Sequence, residues 1–126
     1  MSLIKQHLYQ QQRNQMSAVI EQTKVDFLVD ALIEQLNGKW KVNAIESGHS
    51  SYHFLTREEG KRYIKLIDNN SNSSGRSVYM FVDKNDGAVY KSASWKAPAK
   101  GIRFYIEQLA ENPDICDPYG SFLYIA

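Results

Sequence analysis

From Val25 onward the apolar positions fall at helical spacing. Val25, Leu28, Val29, Leu32, Ile33 and Leu36 recur every three or four residues. One face of a 3.6-residue helix collects all six. Val19 and Ile20 roughly continue the stripe, so the predicted helix begins near Ser17. Thr23 with Asp26 resembles a capping box, and Gly38 after Asn37 supplies the expected stop. Upstream, residues 6–15 hold five Gln and little that is apolar. Residues 1–16 read as a polar, partly ordered extension.

After Gly38 the period shifts from 3.6 to 2. Residues 40–46 alternate apolar with polar, which predicts a strand. Residues 51–57 and 61–68 do the same around Glu58-Glu59-Gly60, a tight hairpin. Residues 69–75 are only Asn, Ser and Gly, a loop. Residues 77–82 are apolar on both faces and predict a central strand. Asp83-Lys84-Asn85-Asp86-Gly87 is a turn, and residues 88–94 return as the antiparallel partner. Pro98 suits the first turn of a helix, continued by Ile102, Tyr105, Ile106 and Leu109 and ended by Asn112-Pro113. Residues 121–125 can form a short last strand. The expected fold is a single α+β domain over residues 1–126. It has an antiparallel sheet of five or six strands, a long N-terminal helix and a shorter late helix.

Composition sets outer limits. A chain of 126 residues matches one domain and buries roughly two-thirds of its unfolded surface. Hydrophobic content of 43% with 23% charged residues excludes wholesale disorder. The lone Cys116 excludes a disulfide framework within one chain and a multi-cysteine zinc site. No run approaches the ~20 apolar residues of a membrane span, so no membrane partner is expected. Residues 1–7 lack the apolar core of a secretory signal, which makes the cytoplasm the expected compartment.

A net charge of +1 argues against a uniformly basic nucleic-acid binder. The charge is segregated, however. Residues 39–105 hold twelve basic and six acidic side chains, whereas residues 106–126 hold four acidic and no basic ones. Residues 88–105 carry Lys91, Lys96, Lys100 and Arg103 with no acid, and Trp95 sits among them. Cations interleaved with an aromatic ring suit phosphate contact and base stacking. Arg76 joins this set if its strand end lies beside the loop. Lys100 and Arg103 near the start of the late helix, with Glu107 and Glu111 near its end, oppose the helix dipole. An anion bound at that N-terminus would relieve the conflict. Alternatively Arg103 pairs with Glu107 and the lysines are simply solvated. Trp95 likewise either caps the core or presents an exposed ring.

Other constellations are weak. His49 and His53 are four apart, but on a turn and a strand that spacing spans roughly 13 Å. With no third ligand, no metal is expected. Cys116 has Asp114 and Asp117 as neighbours, which raise a thiol pKa and oppose nucleophilic use. Asp83–Gly87 and Asp68–Asn72 have the wrong spacing or closing residues for calcium loops. Glu58 and Glu59 sit at a hairpin tip with no pocket to tune them. No phosphate loop or nucleophile elbow is present. A non-enzymatic protein without cofactor is the expectation. A pocket containing His49, His53 or tyrosines with perturbed titration would instead mark an enzyme of unrecognised type.

The run Val89-Tyr90-Lys91-Ser92-Ala93-Ser94-Trp95-Lys96-Ala97-Pro98-Ala99-Lys100-Gly101, with the strand at residues 75–83 before it, resembles a family of small uncharacterised proteins encoded by tailed bacteriophages, including marine ones. The resemblance implies a phage origin and action inside the infected cell. It brings no catalytic residue. Two functional expectations result. One is a phosphate-contacting module for nucleic acid or another polyanion, using Lys91, Trp95, Lys96, Lys100, Arg103 and Arg76. The other is a structural or protein-interaction component, a homo-oligomer through the N-terminal helix or through pairing of the acidic tail with the basic middle of another chain.

Overall fold

The structure, a computed structural model, describes residues 3–124, with side chains from Val19 onward. The polar segment 1–16, expected as an extension, lies outside the described side chains, as does the Ile125 end of the expected last strand. Helix α1 is Leu3–Glu46. Its stripe is the one the spacing predicts: Val25, Val29, Leu32 and Leu36 are all buried, and Leu28 and Ile33 pack beside them.

Three expectations about α1 are corrected. Gly38 does not stop it, and residues 40–46 are helix rather than strand. Trp40 lies one turn beyond Leu36 on the same stripe and is buried against Tyr79, with ring centres 5.7 Å apart. Burying an aromatic ring of roughly 150–250 Å² at about 25 cal/mol per Å² outweighs the about 1 kcal/mol cost of a helical glycine. The real stop is Gly48, at φ 77°. His49 N–H donates to Ala44 O and Gly48 N–H to Ile45 O, the two bonds of a Schellman turn. Thr23 also caps nothing. It lies within the helix, and its hydroxyl donates to Val19 O.

The sheet is a five-stranded antiparallel meander in the order β1 (His53–Glu59), β2 (Tyr63–Asn70), β3 (Arg76–Asp83), β4 (Ala88–Tyr90) and β5 (Phe104–Tyr105). The two predicted turns join β1 to β2 and β3 to β4. Gly87 takes φ 75°, and its N–H bonds to Asp83 O. Buried Asp83 also accepts from Asn85 N–H and from Arg62 Nε. Ile64, Val82 and Val89 are cross-strand partners on the face that α1 covers. Lys65, Phe81 and Tyr90 are partners on the opposite face. A bulge between Leu66 and Ile67 leaves Tyr79 without a partner and places it in the core beside Met80.

The C-terminal third departs most from expectation. The late helix α2 is only Ile106–Glu111. Pro98 does not open a helix. It bridges back to Ser92, and Ala99 N–H donates to Lys91 O at 2.7 Å. Gly101, at φ 94°, breaks any helical continuation. Residues 91–103 therefore leave the sheet as a closed excursion, and the chain returns as β5. Within the expected last strand, residues 121–124 are not extended into a strand. Ser121–Leu123 is a single 3-10 turn, because Asp117 takes the N–H groups of Tyr119, Ser121 and Phe122.

Candidate functional site

The face of the sheet away from α1 carries the candidate site. Along it run Tyr63, Lys65 and Ile67 of β2 and Val78 and Phe81 of β3, with Tyr90 of β4 completing the row. Tyr63 meets Phe81 and Tyr90 edge-on, with ring centres 5.9 and 6.0 Å apart. The 91–103 excursion brings Trp95 to this face. Lys65 Nζ lies 4.4 Å from the Trp95 ring centre and the Arg76 guanidinium carbon 5.3 Å from it. Trp95 is 39% exposed, so it neither disappears into the core nor stands free.

The structure brings Arg76, Trp95 and Lys96 into one neighbourhood. Lys65, which lies outside the basic run of residues 88–105, joins them. Its signal was present: it alternates with the core residues Ile64 and Leu66, which sends it to the opposite face. Lys91 stands apart from them: it lines a depression with Tyr79 and the C-terminal turn, its ammonium 4.6 Å from the Tyr124 ring centre. Lys100 is exposed at the loop's exit. Arg103 is set apart by its bonding. Nε donates to Leu123 O at 2.8 Å, and Nη1 donates to the carbonyls of Lys100 and Gly101. It ties the excursion to the C-terminal turn. The expected Arg103–Glu107 pair is absent; Glu107 pairs with Lys24 at 2.8 Å. With α2 only six residues long and starting after Arg103, the expected anion site at a late-helix N-terminus is withdrawn.

Ion pairing divides the cations into two groups. Lys24, Lys39, Arg57, Arg62 and Lys84 each hold a carboxylate. Among the described residues, Arg76, Lys91, Lys96, Lys100 and Arg103 hold none, nor do Lys41 on α1 and Lys61 at the first hairpin, and Lys65 has only Glu58 at 3.9 Å. The acidic tail does not cover this group. Glu107 and Asp114 reach back to Lys24 and Lys39 on α1, and Asp117 serves its own turn.

A cleft of about 430 Å³ opens between the C-terminal end of α1, the start of β1 and the turn at residues 116–119. Both His49 and His53 line it, with Tyr52, Tyr119, Asn43 and Asn70. His53 Nδ1 lies 2.9 and 3.1 Å from the two oxygens of Asp68. Burial raises the Asp68 pKa above its ordinary value, and the His53 bond opposes that rise. Cys116 also lines the cleft, but burial pushes its thiol up to about 12 despite the opposing hydrogen bond with Tyr79. It is a buried, inert thiol. Tyr79 is raised too, chiefly by burial, and its hydroxyl donates to Asp117 O at 2.7 Å. Among the described residues, no group of three His, Cys, Asp or Glu side chains converges as a metal site would need. Nor is any helix long and apolar enough to cross a membrane.

A family model matches residues 4–125, nearly the whole of this architecture. The chain belongs to DUF7717, a family of unknown function. Comparison with curated proteins and with solved structures gives no match. The match of this DUF7717 chain takes in α1, all five strands and the cations around Trp95.

Proposed function

We propose that this DUF7717 chain is a non-enzymatic phosphate-contacting module whose partner is a single-stranded nucleic acid. One observation carries the reading: Arg76 and Lys96 lie at Trp95 with no carboxylate partner among the described residues, and Lys65 beside them has only Glu58 at 3.9 Å, whereas Lys24, Lys39, Arg57, Arg62 and Lys84 each hold one closer. Unneutralised cations on one face attract a polyanion and release its counterions on binding. Lys65 and Arg76 already lie over the Trp95 ring, so Trp95 braces the cations rather than stacking a base. Lys91, Lys96 and Lys100 contact phosphates, and Arg103 holds the loop's shape. The likeness of residues 89–101 to tailed-phage proteins adds the setting, an infected bacterial cell.

Anisotropy titration with labelled single-stranded DNA and RNA at two salt concentrations tests this. Binding should weaken steeply with salt and fall in the Lys96→Ala plus Lys100→Ala variant. No binding at low salt, or binding indifferent to that variant, overturns it.

A second reading, a homo-oligomeric structural component, is favoured by the outer side of α1, where Phe27 is 70% exposed and Val42 and Ile45 are also exposed. Light scattering across a concentration series separates the two; a strict monomer removes the second.

A further inference from the structure

We infer that the cleft lined by His49 and His53 receives one base of the bound strand, splayed out and read on its edge. This rests on the nucleic-acid reading for its biological partner, but the cleft's own chemistry supports it.

Charge comes first. The two permanently charged groups at the cleft's rim are already satisfied. Lys39 pairs with Asp114. Asp117 accepts from the N–H groups of Tyr119, Ser121 and Phe122 and from the Ser121 hydroxyl. The rest of the lining holds no Lys, Arg, Asp or Glu; beside small and hydroxyl side chains it presents Tyr52, Tyr119, Asn43, Asn70 and the two imidazoles. Such a lining suits a neutral planar ring with donors and acceptors on its edge, and not a phosphate.

Preorganisation comes second. His53 is held by Asp68 through Nδ1, and its ring meets Tyr119 edge-on at 5.2 Å. Its Nε2 makes no hydrogen bond among the described residues and is the nitrogen left for a ligand. Asn70 accepts from Asn72 N–H through Oδ1, which leaves its NH2 group available to donate. A cleft of about 430 Å³ lies within the usual range for small-ligand sites and is far too small for a folded partner.

Continuity comes third. On the other side of His53, a shallower depression of about 330 Å³ joins His53, Asp68 and Asn70 to Arg76. Arg76 also lies over Trp95. A strand whose phosphates follow the Trp95 cations therefore passes Arg76 and reaches the cleft within its next few nucleotides. Single-stranded recognition commonly combines a backbone track with a pocket for an unstacked base.

The experiment uses uncharged nucleosides as probes of the cleft alone, with amide NMR signals of Tyr52 and Asn70 as the readout. At least one of adenosine, guanosine, cytidine, uridine and thymidine should shift those signals. Asn43→Ala plus Tyr119→Ala should abolish the shifts; both positions are exposed and Tyr119 is 80% so, which leaves folding intact. Lys96→Ala plus Lys100→Ala should leave the shifts in place. An oligonucleotide with abasic sites should bind more weakly than its intact counterpart. No shift with any nucleoside, or shifts indifferent to Asn43→Ala plus Tyr119→Ala, overturns the proposal. If nucleosides fail while oligonucleotides bind in a salt-dependent way, the cleft inference falls and the phosphate reading stands. If nucleosides bind and oligonucleotides do not, the phosphate reading falls and the cleft stands as a nucleoside site.

Discussion

The Lys65 ammonium sits 4.4 Å from the centre of the Trp95 ring. Lys65 belongs to β2 and Trp95 to the excursion after β4, so this contact fastens the loop to the sheet. Cation–π pairs contribute about 0.5–1 kcal/mol when exposed and more when desolvated. The Lys65 side chain is only 16% exposed, which favours the upper part of that range. Lys65→Ala should cost about 1 kcal/mol in urea unfolding. It should also raise acrylamide quenching of Trp95, since Trp40 is buried and contributes little. Unchanged quenching would show that the loop is held without Lys65.

The Lys65–Trp95 contact also shows where the sequence stops being readable. The helix stripe from Val25 to Leu36 was legible because six apolar residues over twelve positions fit only a 3.6 period. Residues 40–46 were not. Over seven positions Trp40, Val42 and Ala44 satisfy a period of 2 by accident, and the deciding fact, that Trp40 meets Tyr79, lies far away in the chain. Strands β1 to β4 and the two hairpin turns follow from local alternation and glycine placement, whereas β5 was hidden in the stretch read as helix. The late helix was overread because Ile102 and Tyr105 fit helical spacing yet are exposed, while ladder bonds from Arg103 N–H to Val89 O claim that stretch for the sheet. The basic segment was visible as composition. Its full membership was not: Arg76 could be named from its strand end, but Lys65 enters only by strand register.

Two glycines make opposite predictions. Gly87 sits at φ 75°, and a Cβ there would lie 2.8 Å from Ile106 Cγ2. Gly87→Ala combines a left-handed backbone cost with overpacking of α2, and should destabilise by about 2 kcal/mol or more. Gly38 lies inside α1 with nothing within 4 Å of its Cβ position. Gly38→Ala should stabilise by about 0.5–1 kcal/mol. Thermal melts of the two variants check this pair; a neutral Gly87→Ala would argue against the close approach of Ile106.

Cys116 should be silent in the folded protein. Its thiol is buried and pushed up to about 12, so almost no thiolate exists at neutral pH. Labelling with iodoacetamide at pH 7.5 should be slow in buffer and should accelerate sharply in denaturant. The ratio of the two rates then reports opening of the C-terminal turn. Fast labelling of the native protein would mean that the turn at residues 116–119 opens readily, and with it the floor of the cleft.

Asp117 and Asp68 should respond to acid in opposite senses. Burial pushes Asp117 up, but its bonds from Ser121, Tyr119 and Phe122 outweigh that, so its folded pKa lies below the usual 3.8. A lowered carboxylate contributes stability that is fully present above the unfolded pKa and lost as pH falls through the folded one. Asp68 is raised, mainly by burial, so its share is present at low pH and declines as pH rises through its folded value. Asp117→Asn should therefore be destabilising at pH 7, with the gap from the wild type closing as pH drops below about 4. Asp68→Asn keeps a neutral side chain of similar shape beside His53. Measured against that variant, the wild type should instead gain stability as pH falls through the folded value of Asp68, because its buried carboxylate becomes a neutral carboxyl there, and should lose ground toward pH 7, where the variant is spared a desolvation cost that outweighs the lost His53 bond. Urea midpoints of the three proteins between pH 3 and pH 7 measure both. An Asp117→Asn gap that stays constant across that range would mean that the turn carbonyls and amides, not the carboxylate charge, hold residues 117–122 in place.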